Sequence, residues 1–275
     1  MTNGLATANA SLIGFARLRL AARFAACGGC ACMAAASTWL GVSDVAFARE
    51  CTRTPVETRE MGGVRVERVA GDPATFEFTA GMAIDADGAA HAYHPADTGL
   101  DQLSDAGHPG DWWALATDGG GAPFVQGEGD PAPGYYVSTT SLVDERFETR
   151  DPRRYVDAAS IPYVALPAAF VDALGCELGD LAWVERTARD GTVRRSAAIF
   201  ADVSPPSAPL GEGSIALAER LGIPSEPRTG GTRRVSVRYV LFCRSRIGWP
   251  VAVTEIDAAA DRLERARAAA ACPRR

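Results

Sequence analysis

The sequence contains no lysine, and its 28 basic residues, all arginine, are outnumbered by 34 acidic residues. A formal net charge of −6 leaves no basic surplus to neutralise phosphates, so a general nucleic-acid binder is excluded and no nucleic-acid partner is expected. Histidine is scarce too, with only His91, His94 and His108 in the chain. No Gly-x-Ser-x-Gly elbow accompanies them, which argues against a Ser/His/Asp catalytic set.

Complete motifs for metals and phosphates are also missing. His91 and His94 lie three positions apart on a predicted strand-and-turn segment, where their side chains would leave opposite faces, and a fourth zinc ligand is lacking. Asp85-Ala86-Asp87-Gly88 resembles the opening of a calcium loop, but Ala96 stands where the loop needs its last Glu, so a β-turn is predicted. Gly119-Gly120-Gly121 lacks the Lys-Ser/Thr of a phosphate-binding loop. We therefore predict neither a metal nor a cofactor.

The first 48 residues differ from the rest of the chain. Arg17, Arg19 and Arg23 precede an apolar run over 24–42, and the segment ends on Ala46-Phe47-Ala48. A basic start, an apolar middle and an Ala-x-Ala end are typical of a secretory signal peptide. The alternative is an uncleaved membrane anchor, although Gly, Ser and Thr dilute the run. The sequence thus predicts a secreted, extracellular protein with no membrane attachment after cleavage.

Cleavage after Ala48 would change both the cysteine count and the charge. Cys27, Cys30 and Cys32 would leave with the apolar signal, which argues against a metal or redox motif there. The mature chain would carry 25 Arg against 33 acidic residues, so it would attract polycations. An even number of cysteines in an exported protein fits two disulfides, and all three pairings stay open. The cysteines that would remain are Cys51, Cys176, Cys243 and Cys272.

The pattern after residue 48 predicts a mainly β protein. Residues 49–75 form an N-terminal lead-in with one strand, and residues 76–250 hold short β-branched or aromatic runs broken by Gly, Pro and Asp-Gly. Asp87-Gly88 and Asp190-Gly191 each predict a hairpin. The predicted strands cover 64–69, 76–84, 89–93, 134–141, 161–166, 181–187 and 192–200.

Two helices are predicted. Ser214 caps a short one that ends at Leu221, with Gly222 beyond its end. Thr254 opens a C-terminal helix within 251–275, whose end Cys272 could tether. The predicted fold is a single six-stranded, double-psi-like β-barrel with long loops, a short helix after the candidate catalytic loop and a C-terminal helix.

A pair of carboxylates is the best candidate for chemistry. Glycoside cleavage needs one protonated carboxyl to donate to the leaving oxygen and one ionised carboxyl as base or nucleophile. Asp202 follows the second predicted hairpin, and Glu212 lies between Gly211 and Gly213 just before the Ser214 cap. The two glycines would let the backbone pass close to a ligand. Alternatively, Asp202 could bond turn amides and Glu212 could offset the positive helix end.

These two segments resemble the catalytic region of the fungal-type chitosanases, glycoside hydrolase family 75. The similarity covers about residues 76–225. The residues that carry it are Asp202-Val203-Ser204-Pro205, Gly211-Glu212-Gly213-Ser214-Ile215-Ala216-Leu217-Ala218, Ile84-Asp85-Ala86-Asp87-Gly88, Ala92-Tyr93-His94-Pro95, Ala106-Gly107-His108-Pro109-Gly110-Asp111-Trp112-Trp113, Asp130-Pro131-Ala132-Pro133-Gly134-Tyr135-Tyr136-Val137-Ser138-Thr139-Thr140, Asp151-Pro152-Arg153-Arg154-Tyr155 and Leu178-Gly179-Asp180-Leu181-Ala182.

The resemblance implies endo-hydrolysis of β-1,4-linked glucosamine polymers with inversion, no metal cofactor, and Asp202 and Glu212 as the essential pair. The chain departs from the family's Gly-Asp-x-Gly-Pro, because Ala201 and Ser204 replace both glycines. Residues 178–223 also resemble double-psi barrels of the expansin and endoglucanase type. By that resemblance Glu212 is the acid and Asp202 is the base.

Chitosan carries ammonium groups, so an acidic cleft would attract it, and a monomeric enzyme with this polysaccharide as its partner is expected. In each neighbouring aromatic pair, one ring should enter the core and the other should face out. The competing classes are a non-hydrolytic polysaccharide-binding or wall-loosening module and a hydrolase of another cell-wall glycan. The predicted substrate-binding residues are Trp112, Trp113, Tyr135, Tyr136, Asp118 and Asp130, with Asp97, Asp101 and Asp111 as further acidic candidates.

Overall fold

A computed structural model of the chain describes residues 55–69 and 74–271. The predicted signal peptide, Cys51 and Cys272 lie outside these residues. The strands are β1 (Glu57–Met61), β2 (Val64–Arg68), β3 (Thr75–Asp85), β4 (Gly107–His108), β5 (Asp111–Trp112), β6 (Tyr163–Pro167), β7 (Leu181–Thr187), β8 (Val193–Ser204), β9 (Glu212–Ser214) and β10 (Thr232–Phe242). The helices are α1 (Ala168–Leu174), α2 (Ile215–Leu221) and α3 (Val253–Ala271).

Six strands close into a barrel in the order β3-β10-β7-β8-β6-β9, with β9 pairing back onto β3. The β6–β8 and β3–β9 contacts are parallel, whereas the other four are antiparallel. The β1–β2 hairpin extends the sheet beside β3. The predicted mainly β fold with a six-stranded barrel is confirmed.

Alternating side chains fill the barrel. Along β3, Phe76, Phe78, Ala80 and Met82 are buried, which is the period expected of a strand with one face in the core. The ring of Phe78 stacks on that of Tyr239 from β10 with centroids 4.7 Å apart. Burying such rings removes large apolar areas from water, and this is what stabilises a barrel of short strands.

Both predicted helices are present. The Ser214 side chain accepts from the Leu217 amide at 3.1 Å, and Gly222 ends α2 in the left-handed conformation. The Ser214 hydroxyl also donates to the Ile161 carbonyl, so the cap ties α2 to the barrel. α3 begins at Val253, ahead of the predicted cap, so Thr254 lies in its first turn. Its buried Ile256 packs in the main core.

Two predicted strands need correction. The hairpin at Asp190-Gly191 is confirmed, but the one at Asp87-Gly88 is wrong, because β3 pairs with β2, β10 and β9 instead and residues 89–93 form turns. Residues 134–141 make only isolated bridges, such as Leu115 to Ser138. Five short elements, α1, β1, β4, β5 and the three-residue β9, were not predicted, since each lacks a strong local pattern. The eleven-residue β10 was not predicted either, although it is a central strand of the barrel.

One disulfide joins Cys176, just after α1, to Cys243, just after β10, and it encloses 67 positions of chain. It is one of the bonds that the three possible pairings allowed. The pairing that contains this bond would join the two remaining cysteines, Cys51 and Cys272, in the second disulfide. Among the described residues, no helix has both the length and the apolar character needed to cross a membrane.

Candidate active site

A cleft of about 1230 Å³ opens where β3, β8 and β9 end. Asp202 and Glu212 both line it, as do Asp85 and Asp87 from the end of β3. The loop over 139–141 and the proline-rich loop over 205–209 form other parts of its wall. The two carboxylates predicted from the sequence therefore share one cavity with two that were interpreted only as turn residues.

Strand β6 sets the separation of Asp202 and Glu212. Ala165 pairs with Asp202 of β8 on one side and with Glu212 of β9 on the other. Directly paired residues send their side chains to the same face of a sheet, so both carboxylates leave the sheet on one side. Two strand spacings place their backbones about 10 Å apart.

A β-bulge aims Asp202 into the cleft. The β6–β8 register pairs Val164 with Phe200 and then Ala165 with Asp202, so Ala201 is an extra residue on β8. A bulge shifts the alternation by one position and is common beside active sites. Without it, the next residue of β8 in register with Ala165 would be Ala201, and Asp202 would face the opposite side. Ala201 is fully buried at this bulge.

Asp202 is held by a single serine from a distant loop. Its Oδ1 accepts the Ser141 amide at 2.7 Å and the Ser141 hydroxyl at 2.8 Å. The same hydroxyl oxygen accepts the Val203 amide, so its own proton is committed to Asp202. Two donors on one oxygen favour the ionised carboxylate and leave Oδ2 for another partner.

Glu212 has a different environment. Its Oε2 accepts a hydrogen bond from the hydroxyl of Ser204 at 2.5 Å. Gly211 has φ +103°, and a Cβ there would lie 2.6 Å from the Gly81 carbonyl oxygen. A Cβ on Gly213 would lie 2.8 Å from the Leu217 side chain. Close packing against β3 and α2 accounts for these glycines, and because Gly211 also lines the cleft, the expected approach of a ligand stays a prediction.

Asp85 and Asp87 are the residues that sequence reasoning missed. One carboxylate oxygen from each of Asp85, Asp87 and Asp202 lies within 4.8 Å of the others. Asp85 Oδ1 accepts the Asp87 amide at 2.8 Å, and Asp87 Oδ1 accepts the Tyr93 hydroxyl at 2.7 Å. The β-turn predicted for this segment is present, but it lies inside the cleft wall. The signal available in the sequence was the presence of Asp85-Ala86-Asp87-Gly88 within the family resemblance.

The crowding of acids changes their protonation. Burial raises the pKa of Asp85 well above its usual range, and the charges of Glu212 and Asp202 raise it further. Burial followed by the charge of Asp85 does the same to the pKa of Asp87. Burial also raises the pKa of Asp202 and of Glu212, while hydrogen bonds from Ser141 and Ser204 oppose the rise. The site therefore retains protons at pH values where isolated carboxyls have lost them.

Of the six predicted substrate-binding residues, Trp113 lines the cleft. The residue is 53% exposed, and its Nε1 donates to the Asp105 carbonyl at 2.8 Å. Its neighbour Trp112 packs against the barrel core, as the alternation predicted. Asp105 and Asp101 line the cleft as well, and burial raises the pKa of Asp101 to about 6.

The other predicted binding residues lie away from the cleft lining. Tyr136 packs against the core, and Tyr135 contacts the rings of His91 and His94. Asp118 accepts the amides of Gly120 and Ala122, and Asp130 accepts the amide of Gly127, so both organise turns. Their roles in binding stay predictions without geometric support. The expectation that His91 and His94 leave opposite faces is wrong, because the segment is a turn and both rings meet Tyr135.

Two groups of possible metal ligands occur among the described residues. In one, Cys176 and Cys243 lie near Asp180, but the two sulfurs are joined in the disulfide. The other is the group of three aspartates in the cleft. A hard cation such as Ca²⁺ takes six to eight oxygen ligands. A proton retained by one of the three aspartates also explains how their carboxyl groups can lie so close together. The expectation that the protein needs no cofactor stays a prediction.

Comparison of the sequence with protein-family models and with curated proteins finds no match.

Proposed function

We propose that the chain is a secreted, endo-acting glycoside hydrolase of the chitosanase type that cleaves β-1,4-glucosamine linkages with inversion. The observation that carries this proposal is the pairing of Asp202 and Glu212 with the two sides of Ala165, which directs two carboxylates into one cleft. An inverting enzyme needs carboxyl groups about 6.5–9.5 Å apart, with room for a water between them. A backbone separation of about 10 Å is compatible with that spacing.

Glu212 serves as the general acid in this proposal. Burial and the neighbouring charge of Asp202 raise its pKa, so the protonated form persists toward neutral pH. Glu212 gives its proton to the glycosidic oxygen as the bond from that oxygen to the anomeric carbon breaks. The leaving sugar then departs with a free hydroxyl group.

Asp202 serves as the general base. The two donors from Ser141 favour its ionised form, although burial raises its pKa. It removes one proton from a water whose oxygen bonds to the anomeric carbon from the face opposite the leaving group. The new sugar hemiacetal has inverted configuration, and the proton gained by Asp202 balances the one that Glu212 lost.

The charge of the cleft supports a cationic substrate. Six acidic residues line it against one arginine, Arg233. Such a surface attracts the ammonium groups of deacetylated sugars and repels anionic polymers. The exposed ring of Trp113 offers an apolar face on which a sugar can stack. The acidic residues are Asp85, Asp87, Asp101, Asp105, Asp202 and Glu212.

The test is release of reducing ends from chitosan by the purified mature chain, with NMR of the first product anomer. We expect Glu212→Gln and Asp202→Asn each to lower kcat about 10²–10⁴-fold, because each removes a proton-transfer group. Exposed Glu145→Gln and Asp172→Asn are the matched controls and should retain full activity.

Full activity in both cleft variants, with thermal unfolding unchanged, would contradict the proposal. Binding of chitosan without any release of reducing ends would favour the non-hydrolytic module. Activity confined to a different polymer would favour the hydrolase of another cell-wall glycan. Activity that survives dialysis against EDTA would agree with the expected absence of a metal.

A further inference from the structure

We propose that Asp85 is a positioning residue that holds a proton between its own carboxyl group and that of Asp202, and so keeps the proposed base ionised and correctly aimed. The inference rests on the proposed function for its catalytic meaning. Its physical basis is the meeting of Asp85, Asp87 and Asp202 oxygens within 4.8 Å of one another. Carboxylates this close cannot all be ionised without a compensating cation or proton.

The hydrogen bonds indicate which oxygens share the proton. Asp85 Oδ1 accepts the Asp87 amide, so a proton on Asp85 belongs on Oδ2. Asp202 Oδ1 is occupied by both Ser141 donors, which leaves Oδ2 of Asp202 as the acceptor. Asp87 already accepts the Tyr93 hydroxyl, a donor that opposes its protonation, although burial raises the pKa of Asp87. The proton therefore fits best between Asp85 and Asp202.

The groups around Asp85 are acids and phenols. Asp87 and Tyr93 face it from the loop after β3, Tyr163 from β6, Asp202 from β8 and Glu212 from β9. The Tyr163 hydroxyl donates to the Asp87 carbonyl at 3.0 Å, and burial raises the pKa of this phenol too. Asp85 itself is only 6% exposed. No guanidinium is among these neighbours, so a proton is the available means of reducing the charge.

The consequence for the proposed reaction concerns the base. A protonated Asp85 donates a hydrogen bond to Asp202, which favours the ionised form of Asp202. An ionised Asp85 would act in the opposite sense, because a second negative charge raises the pKa of its neighbour. Substitution of Asp85 can therefore separate the two cases by the direction in which the acidic limb of the activity profile moves.

The experiment compares Asp85→Asn with Asp85→Leu by the pH dependence of kcat and KM on soluble chitosan. Asparagine keeps a donor of the same shape, so we expect its acidic limb to stay in place and its kcat to stay within about threefold of wild type. Leucine has no donor, so its acidic limb should move up by about 1 pH unit and its kcat should fall about 10–100-fold with little change in KM. Asp172→Asn controls for loss of one surface charge.

Movement of the acidic limb to lower pH in both variants would overturn the proposal, since it would mean that Asp85 is ionised beside Asp202. Equal loss of kcat in both variants, with unfolding temperatures preserved, would also overturn it. Unchanged profiles in both would show that Asp85 does not act on the base.

A second measurement does not depend on activity. The infrared difference spectrum of wild type minus Asp85→Asn at neutral pH should contain a protonated-carboxyl band, because bands from other protonated acids such as Glu212 are common to both proteins and cancel. Absence of that difference band would refute the shared proton even if chitosan is hydrolysed. If the band is present but the protein does not cleave chitosan, the shared proton would be supported and the proposed function would be contradicted.

Discussion

At the scale of the residue, Ser204 connects the candidate acid to the loop that follows the candidate base. Its hydroxyl lies 2.5 Å from Glu212 Oε2 and it is nearly buried. In the sequence, Ser204 was only a departure from the glycine of the resembling family. In the structure, the Ser204 hydroxyl contacts Glu212. A hydroxyl donor stabilises the ionised form of Glu212, so this hydrogen bond lowers the pKa of that carboxyl.

Ser204→Ala should therefore raise the pKa of Glu212. One lost hydrogen bond corresponds to about 0.5–1 pH unit, so the alkaline limb of kcat/KM on chitosan should move up by that amount. Exposed Ser207→Ala, in the same loop, is the matched control and should leave the limb in place. A downward movement in Ser204→Ala would contradict the role given to this hydroxyl.

Residue patterns alone could indicate Asp202 and Glu212, because each stands at a recognisable turn or cap. They could not indicate that Asp85 joins them. Asp85 is brought to Asp202 and Glu212 by the parallel β3–β9 pairing, which joins segments far apart in the chain. A strand of three residues such as β9 has no period that a sequence reveals. The local turn at Asp85-Ala86-Asp87-Gly88 was predicted, but its place in the cleft depends on that long-range contact.

At the scale of the element, β9 is fixed by two glycines that leave no room for side chains. Gly211 combines a left-handed φ of +103° with a close approach to the Gly81 carbonyl oxygen. The Ala83 amide donates to the Gly211 carbonyl oxygen at 2.8 Å, so the same residue begins the β3–β9 pairing. The sequence predicted an unusual backbone around Glu212, whereas the packing of β9 between β3 and β6 supplies its cause.

Gly211→Ala should displace β9 and with it Glu212. We expect a loss of about 1–3 kcal/mol in the free energy of unfolding from the φ angle alone, and more from the clash with Gly81. The rate of the proposed chitosan hydrolysis should fall by a larger factor than the fraction of folded protein does. Gly119→Ala is the matched control, since its added Cβ meets nothing within 4 Å and its φ is ordinary. Denaturant unfolding and kcat measured on the same samples would check both parts, and equal behaviour of the two variants would contradict this account of β9.

At the scale of the whole molecule, acidic residues outnumber basic ones in the cleft, where six acids face one arginine. The chain's net charge of −6 predicted attraction to polycations, but it could not say where they would bind. The barrel offers a candidate location, because strands from different parts of the sequence place acidic residues along one cleft. Long-range electrostatic attraction of this kind is screened by salt.

Raising NaCl from about 0.02 M to about 0.5 M should therefore weaken chitosan binding, because the screening length falls from about 20 Å to about 4 Å. We expect KM for chitosan to rise several-fold while kcat stays nearly constant. Neutral chitin oligomers provide the control substrate, since any KM for them should not respond to salt. A KM for chitosan that does not change with NaCl concentration would count against electrostatic recognition.

The same buried acids should make stability depend on pH. The pKa values of Asp85, Asp87, Asp202 and Glu212 are raised in the folded state, so the folded protein binds more protons than the unfolded chain above about pH 4. Stability must then fall as pH rises through the folded-state pKa values. Acids with a lowered pKa, such as Asp144 and Asp151, make stability depend on pH only at lower pH values, where they begin to bind protons.

We expect the unfolding temperature to decrease between about pH 5 and pH 8. Asp85→Asn should raise it by about 2–4 °C at pH 8, which corresponds to about 1 kcal/mol, and should change it little at pH 5. Asp172→Asn should follow the wild type at both values. Thermal unfolding monitored by circular dichroism tests this, and a wild-type protein that gains stability over the interval would contradict it.

The position of Ala165 has a consequence for how such a site could diversify. Because one strand stands between the two candidate carboxylates, their separation is a property of the hydrogen-bonded backbone and not of any side chain. Shortening Glu212 to Asp would draw its carboxyl group back by about one bond length, whereas the strand between the two residues contributes a backbone separation of about 10 Å. For a hydrolase on this scaffold, stereochemical outcome would be inherited with the barrel, while the loops remain free to change which polymer enters.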